Sequence, residues 1–291
     1  MKVLNYGSLN IDNVYSVDHF VRGGETLSSS KMEIFSGGKG LNQSIALAKS
    51  GAEVWHAGAV GENDGEFLLE MMKDAGVNVS LVSHVEGKTG HAIIQRDGDG
   101  QNCILLYGGA NQKITREQVD QAMKHFQAGD FLILQNEINE IAYIMEKAHE
   151  KGMKIVLNPS PMDEKIGGYP LEYVDYFLLN EIEAGDICRE QGEGEELLKK
   201  LSAMFPKAKI VLTLGGDGSM YKDGDLDTRS IVTVGLLNSV SDSAFGVFSQ
   251  RVGEELQKNL KYTRRLKGKK IKPEKKKKKK KVVAKPLDNK H

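Results

Sequence analysis

Apolar positions along the chain follow two alternating periodicities. Lys2 to Gly7 is a short apolar run closing on glycine, the pattern of a first buried strand. Leu41, Ile45, Leu47 and Ala48 recur at helical spacing within Leu41–Ser50, directly after the glycine-rich segment Phe35-Ser-Gly-Gly-Lys-Gly40. Val54–Val60 predicts a strand, Asp64–Ala75 an amphipathic helix, and Thr89–Arg96 with Asn102–Tyr107 a hairpin turning at Asp97-Gly-Asp-Gly100. The order then becomes regular: helix 115–127, strand 131–135, helix 138–151, strands 154–158 and 175–180, helices 181–190 and 193–204, and strand 209–214. Strands alternating with helices predict an α/β fold, a parallel sheet covered on both faces. The stretch between Asn13 and Phe35, together with the 89–107 hairpin, falls outside that rhythm and is predicted to form a small β lid.

In such sheets ligands sit beyond the C-terminal ends of the strands. Asn10, Glu137, Asn158, Asn180 and Thr213 all lie at or just after predicted strand ends, so they are expected to converge on one crevice. Asn10 and Asp12, two apart in an extended segment, point to the same side. The glycine-rich loop is no Walker A motif, because Glu33 and Gly40 occupy the places of its first glycine and its Ser/Thr. It is no dinucleotide fingerprint either, since Asn42 stands where the last glycine belongs. What remains is a backbone free of Cβ atoms at Gly37, Gly38 and Gly40, expected to present unpaired N–H groups at a helix start. A tight strand-to-helix connection is the competing reading of that loop. Taken alone, Asp12 reads as a turn or cap residue and Glu183 as part of a solvated helix face.

Composition changes the picture after Asp225, where the strand–helix rhythm dissolves. Residues 251–291 hold 18 Lys/Arg against 4 Asp/Glu, including seven consecutive lysines, so the zero net charge conceals an acidic body with a basic tail. Three segments are expected: a domain over 1–225, an unmatched stretch over 226–253, and a disordered lysine-rich tail over 254–291. A shifted reading frame and a genuinely divergent segment both account for the change. The acidic body excludes nucleic-acid binding as its main purpose, and the tail lacks the interleaved aromatics or amphipathic pattern that nucleic acid or a membrane surface would require. With no apolar run near ~20 residues and no signal-peptide pattern at Met1–Gly7, a cytoplasmic protein is expected. Cys103 and Cys188, far apart, predict neither a disulfide framework nor a zinc site.

Asn10-Ile-Asp12, Gly24-Glu-Thr26 and Gly37-Gly-Lys-Gly-Leu-Asn42, in that order and spacing, resemble the amino-terminal signature of the ribokinase-like (PfkB) carbohydrate kinases. Thr89-Gly90, Gly109-Ala-Asn111, Leu157-Asn-Pro-Ser-Pro161, Asn180-Glu-Ile-Glu183 and Val211-Leu-Thr-Leu-Gly-Gly-Asp-Gly218 continue the resemblance from residue 3 to about 224. It implies a three-layer α/β/α sheet with a small β lid, and ATP-dependent phosphate transfer to a hydroxyl of ribose or a similar small sugar. On the matching positions it implies sugar binding by Asn10, Asp12, Gly38, Lys39, Asn42 and Glu137, and nucleotide binding by Asn180, Thr213, Gly215 and Gly218. It further implies an indirect role for Glu183 in ordering Mg2+, a monovalent cation as a further cofactor, and a homodimer joined through the lid. The family's Gly-Ala-Gly-Asp segment, which carries its catalytic aspartate, is not found. The nearest fragment, Val240–Phe248, has Val247 in the aspartate's place. No catalytic residue is therefore assigned, and the C-terminal portion of the fold is expected to be missing or replaced. The alternative expectation is a sugar- or nucleotide-binding remnant without turnover.

Overall fold

The computed structural model describes residues 1–224 and 226–230. The fragment Val240–Phe248 and the lysine-rich tail lie outside the described residues. In chain order, β1 (Val3–Tyr6) leads into the lid strands β2 (Asn10–Ser16) and β3 (Lys31–Gly37), followed by α1 (Lys39–Lys49), β4 (Val54–Gly61), α2 (Glu66–Asp74) and β5 (Asn78–Val85). Strands β6 (Gly90–Arg96) and β7 (Asn102–Tyr107) complete the lid. Then come α3 (Arg116–Met123), β8 (Phe131–Gln135), α4 (Ile141–Glu150), β9 (Lys154–Asn158), β10 (Val174–Asn180), α5 (Glu181–Cys188), α6 (Gly194–Met204), β11 (Lys209–Thr213), β12 (Ser219–Asp223) and β13 (Leu226–Ser230).

Among the described residues the main sheet runs β13-β12-β11-β10-β9-β8-β1-β4-β5. Every pairing from β11 to β5 is parallel, and β12 and β13 are antiparallel. From β1 the chain winds outward through β4 to β5, then returns to β8 and winds the other way. The order thus reverses between β1 and β8, and a crevice opens at such a reversal because the following connections leave on opposite faces.

Burial explains why the strand sequences are so uniformly apolar. Every residue of β1 and of β8 is buried, the consequence of helices on both faces. Leu4, Tyr6, Leu132, Leu134, Leu157 and Phe177 share one core with the inward positions of α3, α4 and α6. Leu41 and Leu47 of α1 are buried where that helix lies against β1, β4 and β8.

The lid is a second sheet, ordered β3-β2-β6-β7, with a small core of Val14, Ala92 and Ile94. Its strands reach from Asn10 to Gly37, beyond the predicted 13–35, so they include Asn10 and Asp12. The 89–107 hairpin is observed as β6 and β7. Asn102–Tyr107 is exposed at all six positions, with Leu105 at 67%.

Three main-sheet strands are not predicted by the sequence pattern. Strand β5 is the far edge, mostly half-buried with a register shift against β4, so its apolar alternation is weak. Strands β12 and β13 follow the glycine-rich turn at Gly215–Gly218, whose composition reads as loop. Strand β13 pairs with β12 from Leu226 to Ser230, so ordered sheet continues past the boundary placed at residue 225. Predicted helix 138–151 starts at Ile141, because the Asn139 side chain bonds both N and O of Ile114 and Glu140 takes a left-handed φ of 58°.

Candidate functional site

The reversal between β1 and β8 gathers the chemically interesting residues. Glu137 lies two residues past β8. Asn10 and Asp12 occupy alternate positions of β2, and Gly38 to Asn42 form the start of α1. The approach between these segments is close enough to dictate residue type. A Cβ on Gly40 would lie 2.6 Å from the carbonyl carbon of Gly7, and one on Gly38, whose φ is +95°, would lie 2.8 Å from Ser8 O. Both conflicts are with backbone, which has nowhere to move.

The helix start does not offer free N–H groups, contrary to the expectation from sequence. Lys39 N donates to Glu137 Oε2 at 2.9 Å, Gly40 N to Ser8 Oγ at 3.2 Å, and Leu41 N to Ser8 O at 3.0 Å. Ser8 Oγ in turn donates to Glu137 Oε2. Gly38 has no side chain to cap α1, so a carboxylate from the turn after β8 does so, with favourable interaction with the helix dipole. Glu137 Oε1 faces Lys39 Nζ at 3.6 Å, a mostly buried pair.

What this corner presents to a ligand is therefore side chains. Asp12 is half-buried beside Gly37, whose missing side chain is the space its carboxylate fills. Burial and the nearby Glu137 push its pKa up, and Lys39 opposes them. Asp12 and the amide of Asn42 have no hydrogen bond to any described residue, and Asn10 uses only its Oδ1. Carboxylates and amides left unspent in a half-buried corner are groups that can bond several hydroxyls at once.

Beneath the loop lies a buried polar network that sequence pattern does not reveal. Asn5 Nδ2 donates to Gly40 O at 2.8 Å and to Ser44 Oγ at 2.9 Å; Ser44 meets His56 Nδ1 at 2.7 Å, and His56 Nε2 meets Gly7 O at 3.2 Å. A carbonyl only accepts, so Nε2 carries the proton and Nδ1 accepts from Ser44. Burial pushes the His56 pKa down to about 4. Gln135 adds bonds to Asn5 Oδ1 and Gln43 Oε1, while its own Oε1 has no partner among the described residues. Lone polar residues inside apolar strands give little sequence signal, and only the fold brings these together.

A second group lies on the β10–β11 side. Asn180 and Thr213 are register partners across the two strands, and Gly215 and Gly218 belong to the turn after β11, both with positive φ. Thr213 Oγ1 donates to Leu179 O at 3.4 Å. Asn180 is exposed, and its Oδ1 accepts from Glu183 N while Glu183 Oε2 accepts from Asn180 N, a reciprocal capping box at the start of α5. Glu183 is thus buried, against the solvated-face reading. Burial pushes its pKa up, opposed by hydrogen bonds from Asn180 and Ser160 and by the charge of Lys39. The charge of Lys39 acts on both Asp12 and Glu183, favouring the ionised form of each.

Among the described residues no cluster of three or more His, Cys, Asp or Glu could hold a metal ion. One Glu183 oxygen accepts from Asn180 N, and no cluster of ligating side chains surrounds it among the described residues, so these residues fit a Mg2+ that keeps most of its waters. The exposed glycine backbone of the β11 turn, beside Asn180, fits close approach of a nucleotide. Cys103 and Cys188 are free, and no helix among the described residues is long and apolar enough to cross a membrane.

Comparison with known proteins agrees with this architecture. The profile described as "pfkB family carbohydrate kinase" matches residues 1–234. A ribokinase of Staphylococcus aureus (strain COL) is 34% identical over 229 residues, covering 76% of this chain and 75% of that protein. Among solved structures, a ribokinase from Cryptococcus neoformans var. grubii in complex with ADP is 28% identical with a TM-score of 0.68, covering 86% of this chain and 88% of that one. An Arabidopsis thaliana ribokinase complexed with ribose and ATP is 25% identical with a TM-score of 0.69, covering 79% of this chain and 77% of that one.

Proposed function

The chain belongs to the pfkB family of carbohydrate kinases, and from that premise we propose that the corner between β1 and β8 binds ribose or a similar small sugar for phosphorylation by ATP. The observation that carries this reading is the set of unspent polar groups there: the Asp12 carboxylate, the Asn42 amide and the Asn10 NH2, beside the Lys39–Glu137 pair. Asp12 accepts from sugar hydroxyls, Asn10 donates to one, and Asn42 does either. Glu137 holds the loop to the strand ends and keeps one oxygen toward Lys39. Gly38 admits the ligand close to the backbone.

ATP, when bound, supplies the phosphoryl group. In the same reading Asn180, Thr213, Gly215 and Gly218 receive the nucleotide, and Glu183 orders a Mg2+ through its waters. Three strand spacings separate β8 from β11, about 14 Å, a span suited to a nucleotide lying across the sheet end. Lys39, paired with Glu137 at the start of α1, supplies positive charge for the phosphates that gather there. A monovalent cation belongs to this reading by family likeness alone.

A second reading, sugar binding without turnover, is favoured by one feature of the sequence, Val247 where the family's aspartate is expected. A missing base removes about 10²–10⁴-fold of rate. Ribose binding by calorimetry, beside ribose-stimulated ADP release by the full chain, separates the two. Binding with ADP release supports the kinase, binding without release supports the remnant, and neither rejects the site.

The proposed homodimer rests on the lid. Ile104, Leu105, Leu106 and Tyr107 expose apolar surface on an edge strand, a surface suited to a second copy of the chain.

A further inference from the structure

Asn111 is buried, 1% exposed, and is not among the groups assigned above to the ligand. Its hydrogen bonds nonetheless determine what the crevice presents. Leu9 N donates to Asn111 Oδ1 at 3.0 Å, and Asn111 Nδ2 donates to Leu9 O at 3.3 Å and to Asn10 Oδ1 at 2.7 Å. A backbone N–H can only donate and a backbone carbonyl can only accept, so Leu9 fixes which end of the Asn111 amide is oxygen and which is nitrogen. That orientation leaves Asn10 one choice. Its Oδ1 must turn inward to accept from Asn111, and its NH2 must turn outward. The arrangement also explains Gly90, the register partner of Asn10, whose Cβ would overlap both Asn111 Nδ2 and Asn10 Oδ1 and would lie 2.9 Å from Gly108 O.

We propose that Asn111 is a positioning residue that locks the Asn10 amide as a hydrogen-bond donor, so that the ligand group facing Asn10 must be an acceptor while the group facing Asp12 must be a donor. The proposal deepens the sugar-binding reading and rests on it for the identity of the ligand. A sugar hydroxyl is both donor and acceptor, so two adjacent hydroxyls satisfy Asn10 and Asp12 together only in one sense of their hydrogen-bond chain. The site thereby imposes a direction on the hydroxyl protons before any chemistry.

The diagnostic variant is Asn111→Asp in the full chain. The new carboxylate keeps the size of the side chain and can accept from Leu9 N, but when ionised it offers Asn10 Oδ1 only repulsion. Asn10 then reverses, donating inward and presenting oxygen to the ligand. Ribose affinity at pH 8 should fall at least about tenfold, the worth of one hydrogen bond lost and two acceptors opposed. On acidification the buried carboxyl introduced at this position takes up a proton, its OH replaces the missing donor, and affinity relative to wild type at the same pH should recover. Asp12, Glu137, Lys39 and His91, the other titrating groups near this corner, are common to both proteins and cancel in that ratio. A merely structural role predicts a lower Tm with no recovery on acidification. An Asn10→Asp change should weaken binding by a similar factor, because it turns an acceptor instead of a donor toward the ligand. Equal ribose binding by Asn111→Asp and wild type at pH 8, or a loss that persists at low pH, overturns the proposal.

A second measurement needs no ligand. With asparagine labelled by nitrogen-15, the Asn111 NH2 protons should exchange slowly and the Asn10 NH2 protons rapidly with water, and the reverse order also overturns it. Should wild-type ribose binding be absent, the ligand reading fails, and exchange alone decides the positioning role.

Discussion

At Asp12, burial and the neighbouring Glu137 carboxylate favour the protonated acid and Lys39 opposes them, leaving the pKa above its ordinary value. A carboxyl raised on folding stabilises the fold most when protonated, below its unfolded pKa, and that stability is lost as pH rises through the folded pKa. Folding therefore disfavours the ionised form of Asp12, a cost that the proposed binding role would require. Asp12→Asn should raise Tm at pH 7 with a gain that shrinks toward pH 4, measured by thermal melts across pH. His56 has the opposite sign. Its folded pKa of about 4 lies below the ordinary value of 6.5, so its contribution is complete above pH 6.5 and lost as pH falls toward 4. The stake is on the order of 3 kcal/mol, and a His56→Gln variant should show correspondingly less acid destabilisation in denaturant titrations at pH 7 and 4.5. Equal pH slopes for variant and parent would show that burial of the His56 imidazole is not the source of the acid loss.

At the scale of elements, the glycine loop and α1 form a unit whose helix start is capped from elsewhere in the chain. Gly40→Ala sets a Cβ against the backbone of Gly7 and Ser8 and should cost more than about 2 kcal/mol, whereas Gly98→Ala, with open space around it, should be silent in the same melts. The lid tests separately. Leu105→Lys, on the exposed strand β7, should convert a dimer to a monomer in analytical ultracentrifugation with ribose affinity unchanged, and a monomeric parent would remove the dimer from the account. Sequence pattern reveals these elements unevenly. The buried strands β1, β8 and β9 read directly, because full burial demands continuous apolar runs. The half-buried edge β5 and the strands after the Gly215–Gly218 turn do not, since their pattern resembles loop. Asn10, Asp12 and Lys39 are legible through motif spacing, and Glu137 through its place just past a predicted strand end. Glu137's service as the cap of α1 is not, because Ser8 and Lys39 reach it only after 129 and 98 residues of chain have folded back. The capping box of Asn180 and Glu183 is legible locally, from an asparagine followed three residues later by a glutamate at a helix start.

At the scale of the whole molecule, two polar groups lie at the same end of one sheet. One is at the strand reversal between β1 and β8, the other at the ends of β10 and β11, with the charge of Lys39 felt in both. This layout is what supports the proposal of small-sugar binding at the reversal, since rigid strands bring together groups that loops alone would hold loosely. The most direct test is a calorimetric titration of ribose into the full chain and into Asp12→Ala, with circular dichroism to establish that both are folded. The account predicts saturable binding by the parent and at least a tenfold loss in the variant, the cost of removing hydrogen bonds to a carboxylate. Equal affinity in the two proteins, or no binding by a folded parent, would contradict it.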